Sequence, residues 1–180
     1  MSHIAVFCGS RLGLNPHFEE ATRIMGSLLA TQGHTLVYGG SNKGYMGVVA
    51  TAAMSHGGRV VAVIPTIFPP QVIHSLEVNE LIVVNTLAER KQRMSDMSEA
   101  FIALPGGIGT LDEITEMLAN NQLNLSHKPI AFLNVDGFFD PTLQQLEMMH
   151  HEGFLSTENY HTVLSADTPE TLLERIAAFR

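Results

Sequence analysis

Apolar positions along this chain fall into two alternating regimes. Short unbroken apolar runs, such as "IAVFC" at 4–8, "VVAVI" at 60–64 and "AFIAL" at 100–104, are each followed by a longer stretch in which apolar residues return every three or four positions. The unbroken runs predict strands covered on both faces, and the periodic stretches predict amphipathic helices. Read this way, a strand at 3–8 is followed by a helix that Asn15-Pro16 opens and Gly33 closes. "HTLVYGG", "RVVAVIP", "LIVVN", "AFIALPGG", "KPIAFLN" and "YHTVLSAD" are the further strands. "KGYMGVVATAAMSHGG", "LAERKQRMSDMS", "TLDEITEMLANNQL", "DPTLQQLEMMHHEG" and "TPETLLERIAAFR" are the helices between and after them. Residues 66–79, with Pro69-Pro70 inside, read as the longest irregular stretch. Strand and helix alternate throughout, which predicts an α/β protein with a Rossmann-like, doubly wound parallel sheet.

No repeat, linker or low-complexity segment interrupts this order, and 180 residues suit a single domain over 1–180. A composition of 45% hydrophobic and 16% charged residues is that of an ordinary folded protein. The net charge of −8 argues against a nucleic-acid polymer as partner, since only Arg90, Lys91 and Arg93 cluster. Cys8 is the one cysteine, so no intrachain disulfide forms and a cytoplasmic location is expected. The first residues lack a basic segment before a long apolar run, and no stretch approaches a membrane span.

In open parallel sheets ligands bind outside the carboxyl ends of the strands. Three glycine turns fall at those ends: Gly9-Ser10, Gly39-Gly40 and Gly106-Gly107. A glycine turn feeding a helix presents free N–H groups in the positive field of the helix dipole, which suits phosphate. Gly106, Gly107, Ile108, Gly109 and Thr110 have this arrangement, and Gly39, Gly40, Ser41 and Gly44 are a second wall. Taken singly, a glycine turn is explained by tight strand–helix packing. Neither cluster reads as a P-loop or as G-x-G-x-x-G, so kinase and dehydrogenase readings lose weight.

The carboxylates that follow have two readings. Thr110-Leu111-Asp112-Glu113 fits a capping box, in which Thr110 caps the helix and Glu113 reaches back. The same Glu113 beside a phosphate cradle has a chemical use, stabilising a positive sugar centre or orienting water. Arg90-Lys91 reads either as a solvated helix face or as a cationic clamp on phosphate or carboxylate. His150-His151 suits a helix end, and with no H-E-x-x-H a metal site is not expected. Cys8 reads as a small buried residue, and Met94, Met97, Met148 and Met149 as core or interface. No G-x-S-x-G elbow is present.

"PGGIGTLDE" resembles the PGGxGTxxE signature of the Lonely Guy family, the cytokinin riboside 5′-monophosphate phosphoribohydrolases, many of which are described as lysine decarboxylases. "VFCGS" resembles that family's first strand and turn, "VYGGSNKGYMG" its YGGGxxGLMG segment, and "ERKQRM" the stretch holding its Arg-Lys pair. The resemblance covers nearly the whole chain. It implies cleavage of the N-glycosidic bond of a nucleoside 5′-monophosphate to free base and ribose 5-phosphate. It makes Arg90 and Glu113 the catalytic pair. It gives substrate binding to Lys91, Gly106, Gly107, Ile108, Gly109, Thr110 and Asp112, with Gly39, Gly40 and Ser10 at the neighbouring turns. It implies no metal or organic cofactor, and assembly as a homodimer or higher even oligomer. The chain departs from the family pattern at Ser41, Val72, the segment Leu87-Ala88-Glu89, Asp112 and Ala119. These departures make AMP or another purine monophosphate an alternative substrate. A nucleotide-binding or sensing module without turnover is the alternative function, and a phosphoribosyl transferase a third. The decarboxylase description needs a lysine in a pyridoxal phosphate site, which the sequence does not suggest.

Overall fold

The computed structural model describes residues 2–74 and 77–179, apart from the side chains at 72 and 74. Its strands are β1 (His3–Phe7), β2 (Thr35–Tyr38), β3 (Arg59–Pro65), β4 (Glu80–Val84), β5 (Ala100–Ala103), β6 (Ile130–Leu133) and β7 (Val163–Ala166). They form one sheet in the order β4-β3-β2-β1-β5-β6-β7, and every neighbouring pair is parallel. The helices are α1 (Pro16–Thr31), α2 (Gly44–Ser55), α3 (Pro70–His74), α4 (Leu87–Met97), α5 (Ile108–Gln122), α6 (Asp140–His151), α7 (Thr157–Tyr160) and α8 (Pro169–Ala178).

The unbroken apolar runs do what their pattern requires. Along β1, Ile4 and Val6 face one layer while Ala5 and Phe7 face the other, and all four are buried. The first layer packs Met25 and Leu29 of α1, Tyr45 and Val49 of α2, and Leu172 of α8 against the sheet. The second packs Met94 of α4, Ile114 and Met117 of α5, and Leu146 of α6. The sheet is therefore doubly wound, as expected. Burial of these side chains is the main stabilising term, at about 1.5–3 kcal/mol for each fully covered large aliphatic or aromatic group.

Strand order reverses between β1 and β5. The chain steps outward from β1 to β4, then crosses back to place β5 on the free side of β1. The carboxyl ends of β1 and β5 thus flank the switch point, where α/β sheets hold ligands. The two turns there touch. Gly9 N–H donates to the Pro105 carbonyl at 3.1 Å, and Leu104 N–H to that of Phe7 at 2.9 Å.

Three local readings are corrected. Residues 66–79 are not wholly irregular, because α3 lies within them. Pro70 opens it, as proline suits a first helical turn, where its missing N–H costs nothing. The last strand begins at Val163 rather than Tyr160, since Ser156 caps the short α7 by accepting from Asn159 N–H at 3.2 Å. Helix α5 begins at Ile108, two residues before Thr110, with Gly107 as its cap residue.

Candidate active site

The start of α5 tests the capping reading of Glu113. Thr110 is inside the first turn and buried, so it does not cap, and the Gly107 cap offers no side-chain bond. The first helical bond runs from Leu111 N–H to the Gly107 carbonyl at 3.2 Å. The N–H groups before it have no acceptor within the helix. Glu113 does not reach back to the cap; its Oε1 accepts from Arg90 Nη2. The capping-box reading of Thr110 and Glu113 is thereby overturned. A closely related cap opens α4 instead, its acid reaching one residue beyond the Thr86 cap. Thr86 Oγ1 accepts from Glu89 N–H at 3.0 Å, and Glu89 reaches back to Asn85 N–H at 2.8 Å.

The three glycine turns differ in openness. At α1, Asn15 Oδ1 accepts from His17 N–H at 3.0 Å. At α2, Tyr45 N–H donates to the Gly9 carbonyl at 2.9 Å, and a Cβ on Gly44 would lie 2.3 Å from the Ser10 carbonyl carbon. That helix start is docked onto the β1 turn. Gly40 adopts φ +71°, a left-handed conformation that favours glycine. Ser41, where the family has glycine, accepts from Lys43 N–H at 3.1 Å and closes its own turn. At α5 the space is free: a Cβ on Gly107 or Gly109 would meet nothing within 4 Å, and Ile108 is 82% exposed. Gly106 is the contrary case. A Cβ there would stand 2.1 Å from Thr110 Oγ1 and 2.8 Å from Gly9 N, so glycine lets the β1 and β5 turns touch. Gly9, Gly106, Gly107 and the exposed Ser10 line a cleft of about 260 Å³ that Phe18 and Phe138 close on the α1 side.

Arg90 and Glu113 are brought together as a covered ion pair, their side chains only 12% and 11% exposed. Arg90 rises from the first turns of α4 and lies along the β2 turn, its Nη1 3.4 Å from where a Gly39 Cβ would be. Its Nε is buried without a partner. Burial pushes the Glu113 carboxyl up to about 7; Arg90 opposes this without cancelling it. Cys8, at the end of β1, is buried, and its thiol is pushed upward by burial first and by Glu113 second. A thiol held protonated is no nucleophile, in keeping with its reading as a small buried residue.

Lys91, the next residue on α4, does not point to open solvent. Its Nζ bonds Asp112 Oδ2 at 3.0 Å and also reaches Glu116, both on α5. Glu116 was not among the residues singled out from the sequence, although its i,i+4 spacing from Asp112 was there to be read. Ala88 and Ala119 are exposed, and the Val72 side chain lies outside the described residues. Among the described residues no group of three or more His, Cys, Asp and Glu side chains could hold a metal. None of their helices is long and apolar enough to cross a membrane.

A family model described as "possible lysine decarboxylase" matches residues 46–176. Cytokinin riboside 5′-monophosphate phosphoribohydrolase LOG of Oryza sativa subsp. japonica is 38% identical, covering 98% of this chain and 73% of its own. LOG4 of Arabidopsis thaliana, with the same enzyme name, is 37% identical over 98% of this chain and 82% of its own. Among solved structures, the molybdenum cofactor binding protein from Rippkaea orientalis superposes with a TM-score of 0.74 at 26% identity, covering 98% of this chain and 96% of that one. The Moco carrier protein from Chlamydomonas reinhardtii, at 20% identity and a TM-score of 0.73 over 99% of each chain, shares the fold. From its motifs, its sheet and these relatives alike, the chain belongs to the Lonely Guy family, whose curated members are named cytokinin riboside 5′-monophosphate phosphoribohydrolases.

Proposed function

We propose that this chain hydrolyses the N-glycosidic bond of a nucleoside 5′-monophosphate, a cytokinin riboside 5′-monophosphate or AMP, releasing the base and ribose 5-phosphate. The observation that carries this reading is a covered carboxylate–guanidinium pair one turn into the helix whose N-terminus is open. The phosphate sits on the N–H groups of Gly107, Ile108, Gly109 and Thr110, with Gly106 and the Ser10 hydroxyl beside it. Gly39 and Gly40 form the opposite wall, while Lys91 and Asp112 flank the entrance. Holding the phosphate fixes the ribose, and that positioning is worth several kcal/mol of barrier.

Catalysis follows from where Glu113 stands. As the C1′–N bond breaks, its electron pair leaves with the base and positive charge grows on the sugar. An ionised Glu113 stabilises that charge. A carboxyl titrating near 7 also accepts a proton from the attacking water at neutral pH. The water's hydroxyl ends on C1′ and its proton, in net, on the base. Arg90 orients the carboxylate and does not serve as acid, because a guanidinium keeps its proton.

The decarboxylase description would require pyridoxal phosphate on a lysine. Lys91 is bonded to Asp112 and Glu116, Lys128 donates to the Ser95 carbonyl at 2.9 Å, and Lys43 is exposed at the start of α2. These residues do not fit that cofactor. The reading carries with it a cytoplasmic location and a homodimer or higher even oligomer. Exposed Val83, Leu87 and Ile108 supply apolar surface for a second copy to cover.

The test is chromatographic. Purified protein is incubated with AMP and with isopentenyladenosine 5′-monophosphate, the corresponding nucleosides serving as controls. Release of base from the monophosphates alone is expected, and the ratio of the two rates ranks the substrates. Nucleotide binding without base release would favour a sensing module.

A further inference from the structure

Helices α4 and α5 are joined by two parallel rungs. Arg90 to Glu113 is the first; Lys91 to Asp112 and Glu116 is the second. Asp112 and Glu116 are four residues apart, so they share a face of α5 and grip one ammonium between them. The Lys91 side chain is 13% exposed, whereas Asp112 is 60% and Glu116 35% exposed. The Asp112 contact is therefore the more screened of the two, and a freely exposed pair adds little. Glu116 is the better covered anchor. Lys91 has three donors, and two of them are directed at α5.

Resting on the N-glycosidase reading above, we propose that Glu116 is a positioning residue, which through Lys91 sets how Arg90 presents itself to Glu113 and which charges surround that carboxylate. The geometry makes this coupling direct. Arg90 and Lys91 are consecutive on one helix, so fixing Lys91 against α5 fixes the rotation of α4 that aims Arg90. A displacement of about 1 Å in such a pair costs on the order of 100-fold in rate. The charged groups facing Glu113 are Arg90 and Lys91 from α4, and Asp112 and Glu116 from α5; Cys8, the residue after β1, is a neutral thiol. Two cations and two anions thus balance around it. Removing one charge from the second rung tips the balance while both charges of the first remain. Loss of the Glu116 charge leaves Glu113 in more positive surroundings, where it ionises more easily. Loss of Lys91 does the opposite.

The experiment follows Glu113 itself. Carbon-13 NMR of the glutamate carboxyls, with Glu113 assigned through Glu113→Gln, gives its midpoint in wild type, Glu116→Gln, Lys91→Met and Lys91→Arg. The midpoint falls in Glu116→Gln, rises in Lys91→Met and stays in place in Lys91→Arg. In parallel, Glu116→Ala lowers kcat for base release from AMP by about tenfold while KM stays within about twofold, as expected when an interaction made only in the transition state is weakened. The proposal is overturned if the midpoint ignores both charge-removing variants or moves the same way in both. It is equally overturned if Glu116→Ala turns over at the wild-type rate, or raises KM alone. If the wild type releases no base while the midpoints move in opposite directions, the second rung stands and the reaction assigned to the site is what fails.

Discussion

Replacing Glu113 with glutamine should make the protein more stable and far less active. The side chain is buried, and burial raises its carboxyl from 4.5 to about 7 despite Arg90. A raised acid is an acid whose ionisation opposes folding. The stabilising contribution of the neutral form is complete below pH 4.5. It is lost progressively between 4.5 and 7 and changes little above that. At 1.36 kcal/mol per pH unit the full loss amounts to about 3 kcal/mol. Glutamine keeps the shape and cannot ionise, so Glu113→Gln should match the wild type in urea unfolding at pH 4. It should exceed it by about 3 kcal/mol at pH 8. At pH 8, where the wild-type carboxylate is ionised, its base release from AMP should be about 100- to 1000-fold slower than that of the wild type, the usual cost of removing one preorganised electrostatic group. The assay is a set of urea midpoints at four pH values for both proteins, with turnover measured on the same samples. Parallel stability curves would show that Glu113 does not carry the neutral-pH ionisation cost. Wild-type turnover by the variant would refute the catalytic role outright.

Other expectations are briefer. The acidic limb of wild-type kcat/KM should have its midpoint near pH 7, since the ionised carboxylate is the working form; a profile flat from pH 5 to 8 would contradict this. Gly106→Ala should destabilise by about 1–3 kcal/mol, because the added methyl meets Thr110 Oγ1 and backbone N of Gly9, and thermal melts would show it. Gly109→Ala meets nothing and favours the helix, so its Tm should hold or rise while KM for AMP increases if phosphate occupies that space. Asn121→Ala removes bonds to the Lys128 carbonyl at 2.9 Å and Thr162 Oγ1 at 3.0 Å. It should cost about 1–3 kcal/mol in unfolding and leave kcat and KM unchanged, as the network lies far along α5 from the first turn.

The sheet and most helices were legible because apolar runs and periodic stretches are local signals and the core here uses them consistently. What misled was local chemistry with two outcomes. Thr110 and Glu113 have the same T-x-x-E spacing as Thr86 and Glu89, yet only the latter pair caps the start of a helix. The difference is Arg90, which is 23 residues from Glu113 in the chain and reaches it only after α4 and α5 pack. Prolines 69 and 70 read as breakers because a proline that opens a helix and one that ends it look alike without the following turn. The candidate residues were legible as types at the ends of strands. Their division into an open turn at α5 and a docked turn at α2 was not, because it depends on which carbonyl each first N–H meets.

The position of β1 in the strand order also bears on how the chain is made. Synthesis delivers β1 first, with β2 and β3 soon after, so one flank of β1 is covered early. The other flank belongs to β5, which begins at Ala100. At ribosomal speeds of about 5–20 residues per second, the Ile4–Phe7 edge waits roughly 5–20 seconds for its partner. An apolar, unpaired strand edge is a template for unwanted pairing. The candidate cleft shares that delay, since its two turns meet only when β5 docks. A nascent chain truncated before β5 therefore carries an adhesive edge and no working site, which makes the arrival of β5 the step at which both solubility and activity are decided.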